Sequence, residues 1–326
     1  MIFFECYGNK IDMAIICTFN YLIIYKMGNI CVHKSIFTEK EQFITIGDNF
    51  KTVEEVQEAL RRAGLEKSEL IIGIDFTKSN TWQGKNTFGG ASLHTLLGGN
   101  QMNQYQSVIS ILGQTLSSFD NDNEIPAFGF GDTKTEDHSV FPLKPNGTDC
   151  FGFEEVLSYY NSALKTIKLS GPTSFAPLIN KAIEIVKEKS SYHILIIIAD
   201  GCVDSIKETT DAIVAASHHP LSIIMVGVGD GPWDLMKEFD DKLPQRQFDN
   251  FQFVNYPAIM NQESYNSLKF AVQALMEIPE QYQTIKKLGL IKSKNINQLP
   301  AYENHYPLNP GILPNAPQGI PPHYYN

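Results

Sequence analysis

Three oxygen-bearing side chains alternate along one short stretch: Asp75, Thr77 and Ser79 in "DFTKSN", residues 75–80. Carboxylate and hydroxyl oxygens are hard donors, the kind a magnesium-sized cation takes. The same residue types suit a solvated loop with a helix cap, so this run alone leaves both readings open. Two further stretches carry donors of the same kind. Thr173 in "SGPTSFAP" precedes a helix start, and Asp200 closes "YHILIIIAD", which contains the most apolar strand-like run in the chain. Two carboxylates and three hydroxyls gathered at one rim would suit a divalent cation with an open coordination position.

Such a rim needs elements that bring three distant loops together. From Thr52 the pattern turns regular: Thr52 and Glu55 have the spacing of a capping box, Val53, Val56, Leu60 and Ala63 recur at helical spacing, and Gly64 ends the turn. Strand-like runs then alternate with helix-like ones. The strands are expected at 70–76, 125–131, 192–200, 221–229 and 251–256. Val108, Ile111, Leu112, Thr115, Leu116 and Phe119 fall on one helical face, as do Leu178, Ala182, Ile185 and Val186. Further helices are expected at 153–168, 206–217 and 261–276. Strands apolar on both sides need cover on both faces, and the alternating helices supply it. The expected fold is therefore α/β, a doubly wound, mostly parallel sheet flanked by helices, with ligands outside the carboxyl ends of its strands.

Bulk properties narrow the function. A chain of 326 residues can bury a large core, as one large domain or two small ones. A formal charge of −10 argues against a general nucleic-acid binder, because no net positive field exists to neutralise phosphates. No stretch reaches the roughly 18 apolar residues that a membrane-spanning helix requires. Cys6, Cys17, Cys31, Cys150 and Cys202 are scattered, which disfavours a structural zinc site and a disulfide framework and suits a reducing, intracellular compartment. "GVGDG" (227–231) lacks the third glycine of a dinucleotide fingerprint and reads as a turn before Pro232. "EFDD" (238–241) reads as a solvated face, and no G-x-S-x-G elbow exists.

The D-x-T-x-S run, the later G-P-T loop and the A-D-G strand end together resemble the metal-ion-dependent adhesion site of von Willebrand factor A-like domains. More narrowly, "DFTKSN", "GPTSFAP", "FGFGD", "PLSIIMVGVGDGPWDLMKEFDD" and "FDNFQFVNY" are similar to the copine family's A-like domain, and look closest to the copine-like RING ubiquitin ligases of plants. The resemblance covers about residues 40–290. It implies a six-stranded sheet with Mg²⁺ or Mn²⁺ at its top, held by Asp75, Thr77 and Ser79 from the first loop, Thr173 from the second and Asp200 from the third. It further implies a partner protein whose acidic side chain completes the metal. Ala199 stands where many A domains have Thr, a change expected to matter little because that hydroxyl is not expected to be a direct ligand.

Whole modules of the relatives find no match. About 50 residues leave no room for two C2 domains, so calcium-dependent C2 binding is not expected. Cysteine is absent after Cys202, so a C-terminal RING and intrinsic ligase activity are not expected either. The expected function is a metal-dependent protein-interaction module, cytoplasmic, with the nucleus allowed by the resemblance. The alternative is a ubiquitin-ligase relative acting through a RING supplied in trans. Three segments are expected: an extension at 1–40, the copine-like domain at 41–290, and a Pro-rich tail at 291–326 that could dock on an SH3 or WW domain or remain solvated. The extension could be a signal peptide or a mis-called start. If translation starts at Met27, Gly28 becomes available for myristoylation and Cys31 for palmitoylation, which would give peripheral attachment at the plasma membrane; an internal Met-Gly without lipid is the other reading.

Overall fold

A computed structural model describes residues 13–18, 21–26, 51–243, 245–261 and 266–291. Gly28, Cys31 and the Pro-rich segment lie outside the described residues. The apolar stretch near the N-terminus forms a hairpin of β1 (Met13–Thr18) and β2 (Tyr21–Lys26), paired antiparallel from Met13↔Lys26 to Thr18↔Tyr21. Then follow α1 (Val53–Arg62), β3 (Glu69–Asp75), α2 (Gln104–Leu116), β4 (Glu124–Ile125), β5 (Ala127–Phe130), β6 (Phe141–Pro142) and β7 (Cys150–Phe151). The chain continues through α3 (Gly152–Ala163), α4 (Ala176–Lys189), β8 (His193–Ala199), α5 (Ile206–Ala216), β9 (Leu221–Gly227) and α6 (Asp234–Asp241). It closes with β10 (Phe251–Asn255), α7 (Tyr256–Met260), α8 (Asn266–Leu275) and α9 (Ile278–Lys287).

Six strands form the main sheet in the order β10-β9-β8-β3-β5-β6. All pairs are parallel except β5 with β6, whose antiparallel edge the apolar pattern did not predict because only two residues pair. All seven residues of β3, β8 and β9 are buried, as expected of parallel strands covered on both faces. Alternation divides them between two cores. Leu70, Ile72, Ile74, Ile194, Ile196 and Ile198 face the layer that includes Val56, Leu60, Val108, Leu112 and Tyr160, whereas Ile71, Leu195 and Ile197 face Leu178, Ile179, Ala182 and Ile213. Gly73 lies on the second face, where a Cβ would fall 2.0 Å from Leu178 Cδ2; its missing side chain lets α4 rest on the β3 backbone.

The strand order places the functional end. The chain leaves β3 for β5 on one side and later returns to β8 on the other, so the order reverses between β3 and β8. A crevice opens outside the carboxyl ends of strands at such a point. Asp75 ends β3, and Asp200 directly follows β8.

Local details depart from expectation. Thr52 Oγ1 accepts from Glu55 N at 3.2 Å, but the Glu55 carboxylate accepts from Lys51 N at 2.7 Å instead of closing the box on Thr52. A complete capping box, from Asn103 and Gln106, starts α2. The helix expected at 261–276 is instead α8, preceded by the separate turn α7, which the Asn255 side chain caps through Ala258 N at 3.1 Å.

Candidate metal centre

The first loop leaves β3 with its oxygens held in place by its own backbone. Asp75 is fully buried, and its Oδ1 accepts from Thr77 N at 2.7 Å. The Thr77 and Ser79 hydroxyls lie 2.9 Å apart, on the turn that begins the 3₁₀ segment Lys78–Thr81. Asn80 braces this turn, donating to the Thr77 carbonyl at 3.1 Å and accepting from the Tyr105 hydroxyl at 2.7 Å.

Beneath the loop sits His94, which sequence reasoning missed. Its Nε2 lies 2.9 Å from the Asp75 carbonyl, which can only accept, so Nε2 carries the proton. Nδ1 is then the acceptor for the Tyr160 hydroxyl at 2.9 Å. Burial lowers the His94 pKa to about 3, so the ring is neutral and holds that single tautomer. The ring stacks on Phe76 and Tyr105, at centroid distances of 5.1 and 4.4 Å.

Hydrogen bonds close the three loops into a ring. Thr77 pairs with Ser170 in a parallel bridge, which brings the second loop beside the first. Thr173 is buried, its N–H donates to Asp204 Oδ2 at 2.7 Å, and its carbonyl accepts from Asp204 N at 2.9 Å, joining the second loop to the third. Asp200 N donates to Asp75 Oδ2 at 3.5 Å, joining the third to the first. Asp75, Thr77, Ser79 and Asp200 thus meet directly, and Thr173 reaches the same rim through Asp204. The only trace of Asp204 in the sequence is one more acid four residues beyond Asp200, too common a feature to single out.

The electrostatics are those of a site short of positive charge. Burial, and after it the Asp200 carboxylate, raise the Asp75 pKa to about 7. Burial also raises Asp200, against the opposing effect of the nearby Ser79 hydroxyl. No ion pair among the described residues involves either carboxylate. Asp200 Oδ1 accepts from Cys202 N at 3.1 Å, but its buried Oδ2 has no partner. An unpartnered buried carboxylate oxygen is costly, and two like charges side by side add to that cost. The donor set, all oxygen with two acids, fits a hard divalent cation.

Neighbouring segments hold the rim. Gly131, at the end of β5, has a φ of +79°, and a Cβ there would stand 2.2 Å from Thr77 Cγ2. Gly131→Ala is therefore expected to lose about 1–3 kcal/mol of stability and to weaken metal binding by displacing Thr77, although no ligand residue is itself replaced. Chemical denaturation and Mg²⁺ titration of this one variant check both effects; unaltered values in both would show that Thr77 yields freely. "GVGDG" is a turn, as expected, but a functional one in the fold: the Asp230 carboxylate accepts from the backbone and side chains of Asn86 and Thr87 at 2.8–3.1 Å, tying the loop after β9 to the first-loop segment. "EFDD" is only partly the expected solvated face, since Phe239 is buried in the second core and Asp240 Oδ1 accepts from Phe253 N at 3.3 Å.

The copine family model matches residues 92–294. The chain is 56% identical over 247 residues to Copine family protein 2 of Caenorhabditis elegans, covering 75% of this chain and 3% of that protein. It is 51% identical over 268 residues to E3 ubiquitin-protein ligase RGLG5 of Arabidopsis thaliana, covering 77% of this chain and 61% of that one. The chain thus spans a small part of the first relative and less than two thirds of the second. Among solved structures it is similar to the manganese-loaded TRAP protein of Plasmodium vivax, at 13% identity and a TM-score of 0.39 over 58% of this chain and 69% of that one.

Proposed function

The chain belongs to the copine family, and from that premise we propose that it is a metal-dependent protein-interaction module whose adhesion-type site holds Mg²⁺ or Mn²⁺. Asp75 and Asp200 would supply the charge, and Thr77, Ser79 and Thr173 neutral oxygens. The bound ion would act as a hard Lewis acid for one more oxygen, an acidic side chain of the partner. The observation that carries this reading is the buried, unpartnered Asp200 Oδ2 beside Asp75. With two carboxylates among the five candidate ligands, the ligand set only balances the charge of a divalent cation, which leaves room for an incoming carboxylate.

Affinity capture with and without EDTA tests the proposal. Partners are expected to be lost in EDTA and restored by Mg²⁺, and lost in Asp200→Ala whatever the metal. Capture that survives EDTA undiminished would mean that another surface binds.

The identity to a plant E3 ligase over 77% of this chain supports a second reading, a role in ubiquitination with the RING supplied by a partner. Purified chain given E1 and E2 alone is then expected to build no ubiquitin chains, and to promote them once a RING protein is added. No stimulation by any added RING protein would count against this second reading, and robust chain formation without one would count against both.

A further inference from the structure

A second group of carboxylates lies at the other end of the sheet. Glu69 opens β3 six residues before Asp75, which at roughly 3.3 Å per residue sets the two about 20 Å apart. Ser68 N donates to the Phe119 carbonyl at 3.0 Å, and Ser68 forms a parallel bridge with Asp120, which fastens the turn after α2 to the start of β3. One carboxylate oxygen from each of Glu69, Asp120 and Asp122 then lies within 4.8 Å of the others.

Three of those carboxylate oxygens lack a hydrogen-bond partner, whereas Asp122 Oδ1 accepts from Glu124 N at 3.0 Å. Glu69 is only 7% exposed, its Oε2 has no hydrogen-bond partner, and its carboxylate turns toward that of Asp122. Both oxygens of Asp120 are buried without a partner. His193, the register partner of Glu69 on β8, is fully buried and its Nε2 is unpartnered as well. The Lys189 ammonium reaches Asp122 at 3.6 Å. Three carboxylates and one ammonium leave a formal local charge of −2, which one divalent cation would cancel.

We propose that Glu69, Asp120 and Asp122 bind a calcium-sized divalent cation at the amino-terminal edge of the sheet, in a site separate from that of Asp75 and Asp200. Calcium suits this edge because it takes about 6–8 oxygen ligands in flexible geometry and accepts waters among them, whereas Mg²⁺ demands a near-ideal octahedron. Asp122 is partly exposed, with 37% of its side chain accessible, which gives the ion an entry and leaves room for waters to complete its shell. The ion ties the turn after α2 to β3.

Calcium titration of the whole chain by calorimetry, with Mn²⁺ broadening of amide NMR signals to locate the ion, tests the site. Wild-type protein and Asp200→Ala are expected to share a Ca²⁺ site that broadens signals around 68–70 and 119–123. Glu69→Gln and Asp122→Asn are expected to weaken it at least about tenfold, taking the lower end of what losing a supporting group costs a metal site. Asp122 is partly exposed, so its variant keeps the test decisive if Glu69→Gln does not fold. Unchanged Ca²⁺ affinity in Asp122→Asn overturns the proposal, as does binding lost in Asp200→Ala alone; Ca²⁺ binding weakened in the edge variants, together with Mg²⁺ affinity unaltered in Asp200→Ala, would support this site and count against the one at Asp75 and Asp200.

Discussion

Asp75→Asn and Asp200→Ala are each expected to lower Mg²⁺ affinity at least about 100-fold, the upper end of what a merely supporting group costs, and to leave the fold intact. Each removes one of the two negative charges that would offset the ion. Neither side chain belongs to the apolar core, although both are fully buried. In Asp75→Asn the amide oxygen can still accept from Thr77 N, so the first loop keeps its shape. Without metal the variant should be at least as stable as the parent at pH 8. The reason is the sign of the linkage. A carboxyl whose folded pKa is raised, here to about 7, favours the folded state fully below its ordinary value of 3.8, and that contribution is lost as pH rises through 7. The stability of Asp75→Asn relative to the parent should therefore improve between pH 4 and pH 8 in EDTA. Calorimetric titration and thermal melts over that range check both claims. Unchanged Mg²⁺ affinity in both variants would remove the site assignment, and global unfolding of Asp75→Asn would point to a structural role instead.

Phe76→Ala is expected to cost about 3–5 kcal/mol, the range for emptying a large aromatic site in a packed core. Phe76 is fully buried between two candidate ligands, Asp75 and Thr77. Its ring packs on His94, Phe141 and Tyr160 at centroid distances of 5.1, 5.6 and 6.2 Å, and its N–H donates to the Phe130 carbonyl at 2.8 Å. Emptying this position removes the stack that holds His94 under the Asp75 carbonyl, so metal affinity should fall along with stability. Denaturant unfolding measures the first effect and Mg²⁺ titration under native conditions the second. A loss below about 1 kcal/mol would mean that the neighbouring rings collapse into the space, since the cost depends on how completely the site can close.

Much of this molecule is legible in its amino-acid pattern. The run Leu70–Ile74 and the run Ile194–Ile198 are apolar at every position or nearly so, and that pattern alone calls for a parallel sheet covered on both faces. The polar residues that end those runs mark the rim, because ligands in such sheets lie at the carboxyl ends. Shorter features left little trace. A two-residue pairing such as that of β6 carries no period. His94 lies in an irregular segment, where nothing in its neighbours says whether a histidine is buried, and only the packing of Phe76, Tyr105 and Tyr160 around it decides that.

The residue types at each strand end and the class of sheet that carries them follow from local pattern, because both depend on alternation and turn chemistry within a few neighbouring residues. Which ends meet depends on packing across the whole chain. Asp75 and Asp200 lie 125 residues apart and come together because β3 pairs with β8 from Glu69↔His193 to Ile74↔Ile198, with β5 on the far side of β3. The cluster of Glu69, Asp120 and Asp122 arises in the same way, from the bridge between Ser68 and Asp120. Strand order follows from which apolar faces cover one another across the whole chain, and that is a property of the packed core, not of any local run of residues.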